Sequence, residues 1–563
     1  MPSTPTSKSQ VQAYRFMLRR MESALVRKDA VMLHDPMSSH IRAVAVGVLV
    51  AMVISIGFVI FGVLNPAGSL PSEQGVVIGK QSGAVYALMG QAAQSNQRLV
   101  PTFNVTSARL LLLAQQQNGA QGGGAAQGGG QNASAPPVAA VTVVDDDALK
   151  NVPRDKKQGL VDGPQLLPGA GSSQRVSNDW ALCDTVNLAN TPTPVTGKVT
   201  VTVLAGMSNL GTELGDSPIL MVTPDKTYYL VYKRPAPLYA PTQSSRVETN
   251  SRAVRAKVFL DDPAIKAAYR LDPAYATPVS TAMLNAIPQV ADLKAPEIPS
   301  VNQPSKFNVK GAVIGSVLHV TNGSDVDQRY VLLKDGTHKI SPAAAHVLEF
   351  SNQVSGSEIQ AQPFDISQIR EDTSEQPFDN FPQQASNPVD PTQNQTSCVT
   401  WTYQGNEQHS TVTVLPKDTN PVPLDKKAQP IGTPSTDGQL VTQFYMPTGQ
   451  AAVVRGSVSD QDKAFGTNAG YSGPIYVISD LGVKYGVASS TKGMTGTQVA
   501  QGLGLGDPAT FPPAPAQIVG LLPSGTQLDP ALATKTYDSA SPPANVGSFG
   551  SPQTSGTPGT PGN

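Results

Sequence analysis

Two cysteines are the residues whose type and placement most clearly specify chemistry in this sequence. Cys183 closes Trp180-Ala-Leu-Cys183, Cys398 opens Cys398-Val-Thr-Trp401, and the chain holds no other thiol. In an oxidising compartment two lone cysteines pair. Closing a loop of about 200 residues stabilises a fold by up to roughly 5 kcal/mol in the chain-entropy model. The alternative is a pair of unlinked buried thiols. Each tryptophan, three residues from its cysteine, is expected to pack beside it.

Other arrangements with chemical potential fall short of a site. Gly75-Val-Val-Ile-Gly79-Lys80-Gln81-Ser82 resembles a phosphate-binding loop, with one residue too few between its glycines and Gln81 where Ser or Thr would hold magnesium. The residues that follow, Ser82 to Tyr86, read as a turn into a strand, whereas phosphate is held at a helix N-terminus. His34 and His40 flank an apolar segment, and His319, His338, His346 and His409 are scattered, none spaced from a carboxylate or Cys as metal ligands are. His338 lies in a hairpin turning at Gly336 and is expected on the surface. Asp145-Asp146-Asp147 lacks the spaced oxygens and turn glycine of a calcium loop and reads as a solvated acidic loop. With no nucleophile elbow evident either, no catalytic, cofactor or metal residues are expected, and the chain is not read as an enzyme.

The elements that would position these residues begin at a membrane. From Ile41 to Leu64 the only charge is Arg42. From Ala43 on, about 22 residues at 1.5 Å each span roughly 33 Å, against a hydrocarbon core of about 30 Å. Lys8, Arg15, Arg19, Arg20, Arg27, Lys28 and Arg42 precede this segment, and the next basic residue is Lys80. The Lys/Arg bias places the N-terminus in the cytoplasm and residues from Asn65 onward outside it. A formal net charge of −1 gives no global attraction for nucleic acid.

Before the span, Tyr14, Leu18, Met21 and Leu25 form one apolar stripe at helical spacing, with Arg15, Arg19, Glu22 and Lys28 around the other faces. This amphipathic helix suits docking on a partner's cytoplasmic domain or on anionic lipid. The bland reading is a basic flank that only sets topology.

After the span, charged residues at 14% of the chain, with Gly 50 and Pro 49, favour turn-rich β structure over a helical bundle. A strand–turn–strand theme recurs. Arg329 to Pro342 turns at Gly336, Ile475 to Ala488 turns at Gly482, and a weaker copy runs from Val85 past Gly90 to Leu99-Val-Pro101. A fourth centres on Tyr228-Tyr229-Leu-Val-Tyr232, with Lys233-Arg234-Pro235 in place of the turn glycine. The first and last intervals between Tyr86, Tyr229, Tyr330 and Tyr476 nearly match and the middle one is shorter. That pattern predicts two similar halves of two units each rather than a solenoid. Met283-Leu-Asn-Ala-Ile-Pro288 and Val519-Gly-Leu-Leu-Pro523 echo each other in the second and fourth units. Three stretches read as unstructured on composition: Gln115 to Pro137, Ser374 to Ser397 and Ser541 to Asn563.

The expected organisation is therefore a cytoplasmic basic helix (1–40), a transmembrane helix (41–64), unit one (65–114), a Gln/Gly/Ala insertion (115–140) and a first central segment with Cys183 (141–215). Unit two (216–300), unit three (301–373), a loop and second central segment with Cys398 (374–470), unit four (471–535) and a tail (536–563) complete it. The fold class read from the residues is a single-pass membrane protein with a β-rich α+β extracytoplasmic region of four small repeat units, the two cysteine segments lying between units.

Ordered motifs add a family to this reading. Tyr14 to Asp29 and Met32-Leu-His-Asp-Pro36 resemble the start of EccB, the membrane component of type VII (ESX) secretion systems. Gly79 to Tyr86, Ser107-Ala-Arg-Leu110, Trp180 to Cys183, Tyr330 to Gly336, Cys398 to Trp401, Asp480 to Tyr485 and Leu521-Leu-Pro523 follow in the family's order, over roughly residues 10 to 535. The resemblance implies four repeat units around a central β domain with one disulfide, no cofactor, and a scaffolding role in protein export across the inner membrane. It also implies assembly with an EccC-type ATPase, EccD, EccE and the mycosin protease, and self-association through the periplasmic region. Some family members carry an ATPase label, which the Gly75 to Ser82 segment does not support. The competing reading is a stand-alone, membrane-anchored cell-wall-binding protein.

Overall fold

The computed structural model describes residues 8–27, 43–52, 54, 70–122, 135–188, 193–207, 209–233, 235, 252–307, 309–322, 326–351, 359–361, 366–374, 376–404, 407–432, 441–457, 473–491 and 493–537. The chain divides into two compact units, residues 1–70 with 144–150 and residues 71–143 with 151–563. In the first, Lys8–Arg27 is one helix and residues 43–52 are helical. Among the described residues no helix is long and apolar enough to cross a membrane. Residues 41–42, 53 and 55–64 of the expected span lie outside the described residues, as do His34, His40 and the tail from Ser541.

Among its described residues the second unit holds one seven-stranded sheet, four four-stranded sheets and two two-stranded ladders. Each small sheet has the same strand order, third–second–first–fourth. Three strands form an antiparallel meander, a helix follows, and a short fourth strand returns beside the first. In units two, three and four that last strand is parallel to the first. The tyrosines at 86, 229, 330 and 476 all lie on the middle strand, opposite Val77, Met221, Leu318 and Val454 of the first strand.

Local chemistry repeats with the topology. Every crossover helix opens on a side chain that accepts a backbone N–H: Asn104 from Ser107, Asp262 from Ala264 and Ile265, Ser341 from Ala344, and Thr495 from Gln498. The outer edge of each third strand is covered by chain that returns after the fourth, through parallel bridges Leu99 to Arg154, Arg255 to Gln289, Thr337 to Glu371 and Lys484 to Ser524. An uncovered edge would be a template for aggregation. The Gly482 turn takes φ +81, and a side chain there would run into Phe444 of the central sheet.

The four sheets pair by their helices. Leu110 and Leu113 of unit one share a core with Val499, Ala500 and Leu503 of unit four. Gly502 allows this approach, since a Cβ at that position would collide with Leu113. Ile265 and Tyr269 of unit two share another core with Ala344, Val347 and Leu348 of unit three. Each partner thus comes from the opposite half of the sequence.

The central sheet mixes the halves as well. Its order places Trp180–Asn187 against Thr396–Gln404, flanked by Lys198–Ala205 and Glu407–Leu415. The short strand after the first pair, Thr212–Glu213, joins the second pair's edge, and Gln443–Tyr445, after the second pair, joins the first pair's edge. One face carries Trp180, Leu182, Val399 and Trp401 into a core with Met283, Leu284, Val519 and Leu522. The other face holds Cys183, Cys398, Leu204 and Tyr445.

Several expectations are corrected by this arrangement. Each tryptophan lies on the opposite face of the sheet from its cysteine, because side chains alternate along a strand and a separation of three reverses the face. Residues 115–122 continue the helix Val105–Gly122. The stretch from Ser374 is anchored, with Phe378 and Phe381 buried in the core between units two and three. Unit one's sheet takes its fourth strand from Val141–Val144, beyond residue 114, and unit four's sheet begins at Ala451–Ser457, before residue 471. Hairpin patterns mark only the middle and third strands, so the first and fourth were not legible from them. His338 is fully buried rather than on the surface.

Candidate functional site

The disulfide is present, linking Cys183 to Cys398 across the two innermost strands with Cα atoms 4.0 Å apart. Both residues are inaccessible to solvent. The bond is a structural pin that joins the first and second halves of the chain at the middle of the central sheet.

Next to it, Asp184 is almost wholly buried, and both its oxygens accept from Ser280, from the backbone N at 2.6 Å and from Oγ at 3.0 Å. Ser280 caps the helix Thr281–Ala286, which packs on the tryptophan face. Burial pushes the Asp184 carboxyl up to about 6, with the Ser280 hydrogen bonds pulling the other way. Asp184 therefore ties unit two to the sheet at a cost in charge desolvation.

Two cations finish this junction. In unit two Arg255 donates from Nε to the Ile287 carbonyl at 2.9 Å, just past that helix, and lies 5.3 Å from the Tyr229 ring. In unit four Lys484, buried, donates to the carbonyls of Val519 at 3.3 Å and Gly520 at 2.8 Å, at the end of Ala516–Val519, and lies 5.9 Å from the Tyr476 ring. A cation at a helix C-terminus satisfies carbonyls that have no partner within the helix. The two residues occupy equivalent places on their third strands, two residues from the position opposite the tyrosine. The echoed segments Met283 to Pro288 and Val519 to Pro523 cover the C-terminal ends of the helices these cations cap, and their side chains meet in one core. In unit one Arg109 donates to the Leu503 carbonyl at 2.6 Å, and Arg175 donates to that of Leu505 while lying 5.2 Å from the Phe511 ring. Burial lowers the pKa of both guanidiniums.

The N-terminal helix presents a different kind of site. Tyr14, Leu18, Met21 and Leu25 are exposed, as are Arg15 and Arg19 on the same helix. Val11, Phe16, Met17 and Val26 are exposed too, so the apolar surface is wider than the predicted stripe.

The remaining candidates resolve into structural roles. Gly75–Gly79 is a strand that turns, with Gly83 N–H donating to the Gly79 carbonyl, into the strand Val85–Met89, so Lys80 sits in a β-turn region rather than at a helix start. Asp146 and Asp147 lie in the first turn of the four-residue helix Asp146–Leu149. Among the described residues no group of three or more His, Cys, Asp or Glu is placed to hold a metal ion. Asp184, Arg255 and Lys484 escaped the sequence reading, which placed the buried His338 on the surface. The available signal was a charged or His residue inside an apolar strand pattern, and no fixed spacing linked those residues to their partners.

A family model described as "Type VII secretion system ESX-1, transport TM domain B" matches residues 3–542. The chain belongs to the EccB family. It is 28% identical to the ESX-1 secretion system ATPase EccB1 of Mycolicibacterium smegmatis (strain MKD8), over 95% of each chain. Its fold matches a chain of an intact ESX-5 inner membrane complex with TM-score 0.62 and 22% identity, covering 98% of this chain and 99% of that one. It also matches an EccB3 dimer from an ESX-3 core complex with TM-score 0.58 and 19% identity, covering 82% of this chain and all of that one. EccB proteins thus share the β-rich α+β architecture described above.

Proposed function

We propose that this chain is a structural core subunit of the type VII secretion membrane complex and scaffolds protein export across the inner membrane. The family match over residues 3–542 carries the reading, joined by the likeness to chains of ESX membrane complexes. In this proposal residues 1–40 are cytoplasmic, 41–64 span the membrane once, and the periplasmic region holds unit one (65–114), unit two (216–300), unit three (301–373) and unit four (471–535) about the central sheet. The apolar face of Tyr14, Leu18, Met21 and Leu25, edged by Arg15 and Arg19, docks on a cytoplasmic partner. The partners are an EccC-type ATPase, EccD, EccE and the mycosin protease, with self-association through the periplasmic region, as the EccB3 dimer suggests by analogy.

A structural role is favoured over an ATPase role despite the relatives' names. The segment nearest to a phosphate loop is a β-hairpin in this fold, so it offers no helix N-terminus to a nucleotide. The charged side chains inside the fold are engaged in capping carbonyls and joining units.

Extraction of tagged protein from its native membrane in mild detergent, with sizing and identification of co-purifying chains, tests the proposal. A megadalton-scale assembly containing a membrane ATPase is the expected result. Recovery as a monomer or lone dimer would overturn it in favour of a stand-alone cell-wall-binding protein.

A further inference from the structure

A charge cluster around one buried histidine, with half-buried aspartates, lies in unit three, apart from the junction of units two and four. The His338 ring is inaccessible to solvent, with Nδ1 2.7 Å from the Asp372 carbonyl oxygen and Nε2 2.8 Å from Asp379 Oδ1. Both partners are acceptors. A neutral imidazole carries one N–H and one lone pair, so only the imidazolium donates to both. The carboxylates are held in turn. Asp379 accepts from the Gln376 backbone N at 2.9 Å, and Asp372 accepts from Ser374 N, Ser374 Oγ and Gln376 Nε2. Among the described residues the charges acting on the ring are Asp379 and Asp372, and Arg370 acts on Asp372. Burial by itself lowers the imidazole pKa; the hydrogen bonds to Asp379 and Asp372 and the charges of both outweigh it, and the net shift is upward.

The residues fastened by His338 form a strap. Phe378, whose ring centroid is 5.9 Å from that of His338, and Phe381 fill the core shared by units two and three. Tyr232 of unit two donates its hydroxyl to the Asn380 carbonyl between them. The strap then leads to the central strand Thr396–Gln404.

We propose that His338, Asp372 and Asp379 form a proton-dependent clasp. The imidazolium fastens the strap that carries Phe378 and Phe381 between units two and three. When the proton leaves to solvent, one ring nitrogen turns a lone pair toward an acceptor and that end of the clasp opens. The histidine's folded pKa lies above its unfolded value of 6.5, so the clasp's contribution is fully present below 6.5 and is lost as pH rises through the folded pKa. The inference concerns how the units are held together and does not depend on the export function.

Hydrogen–deuterium exchange of the full-length protein in detergent, from about pH 5.5 to about 8.5 and corrected for the intrinsic rate, reads the strap directly. Protection of peptides covering 376–381 is expected to fall as pH rises, by about tenfold for each unit by which the His338 pKa is raised. Peptides covering the strand Ile475–Ser479 of unit four should show no such change. In His338→Gln the pH dependence at the strap should vanish, and Asp379→Asn should reduce it. Wild-type protection that is flat across the range would overturn the clasp whether or not either variant folds; so would a His338→Gln variant with the wild-type pH dependence.

Discussion

Cys183 and Cys398 stand directly opposite each other on adjacent antiparallel strands, and three positions along the same pair Trp180 stands opposite Trp401 on the other face. One register therefore serves two purposes. The sulfurs cross-link the halves on one side, and the indoles seat the short helices of units two and four on the other.

Cys183→Ser should lower the stability of the extracytoplasmic region substantially. The bond closes a loop with a sequence separation of 215, for which the chain-entropy model gives up to roughly 5 kcal/mol. Thermal denaturation under non-reducing conditions measures the loss. A thiol assay on unfolded wild-type protein should find no free thiol, and an unchanged midpoint in the variant would refute the structural role.

Asp184→Asn should flatten the pH dependence of stability between about pH 4 and 6. The wild-type carboxyl is raised from 3.8 to about 6. Its contribution is most favourable below the unfolded value and is lost as pH rises through the folded one, an effect of roughly 3 kcal/mol at about 1.4 kcal/mol per unit. Urea unfolding of both proteins at several pH values gives the difference. Parallel profiles would show that Asp184 is not the titrating group.

Lys484→Met and Arg255→Met should each destabilise by about 1–3 kcal/mol, the range for losing a hydrogen bond from a charged donor to a backbone carbonyl. The capped helices meet in one core, so the double variant is expected to depart from additivity. Chemical denaturation of the two single variants and the double variant completes the cycle, and strict additivity would argue that the two caps act independently.

Tyr14→Asp combined with Leu18→Asp should separate assembly from folding. Both side chains are exposed, so the extracytoplasmic region should keep its thermal midpoint. Co-purification of the cytoplasmic partner should be lost. Retention of the partner at wild-type levels would remove the helix from the docking interface.

Some features were legible from residue order alone because they rest on local physics. The apolar run after Arg42 and its basic flank set the expectation of a membrane anchor with a cytoplasmic N-terminus, and residues 53 and 55–64 of that run lie outside the described residues. Four tyrosine-bearing strands disclosed four units, since alternation and turn glycines are properties of short segments. Two cysteines in a chain read as extracytoplasmic pointed to a disulfide.

Tertiary structure decided the rest, because it depends on contacts between residues far apart in the chain. It paired unit one with unit four and unit two with unit three, where the sequence pattern grouped units by halves. It covered both faces of the central sheet, so that each tryptophan packs in one core and its cysteine in another. It drew Phe378 and Phe381 out of a polar, Pro-rich stretch into a core, and buried His338 between the Asp372 carbonyl just before that stretch and the Asp379 carboxylate within it. Composition averages over such a segment, whereas two aromatic side chains and one hydrogen-bonded imidazole suffice to fix it.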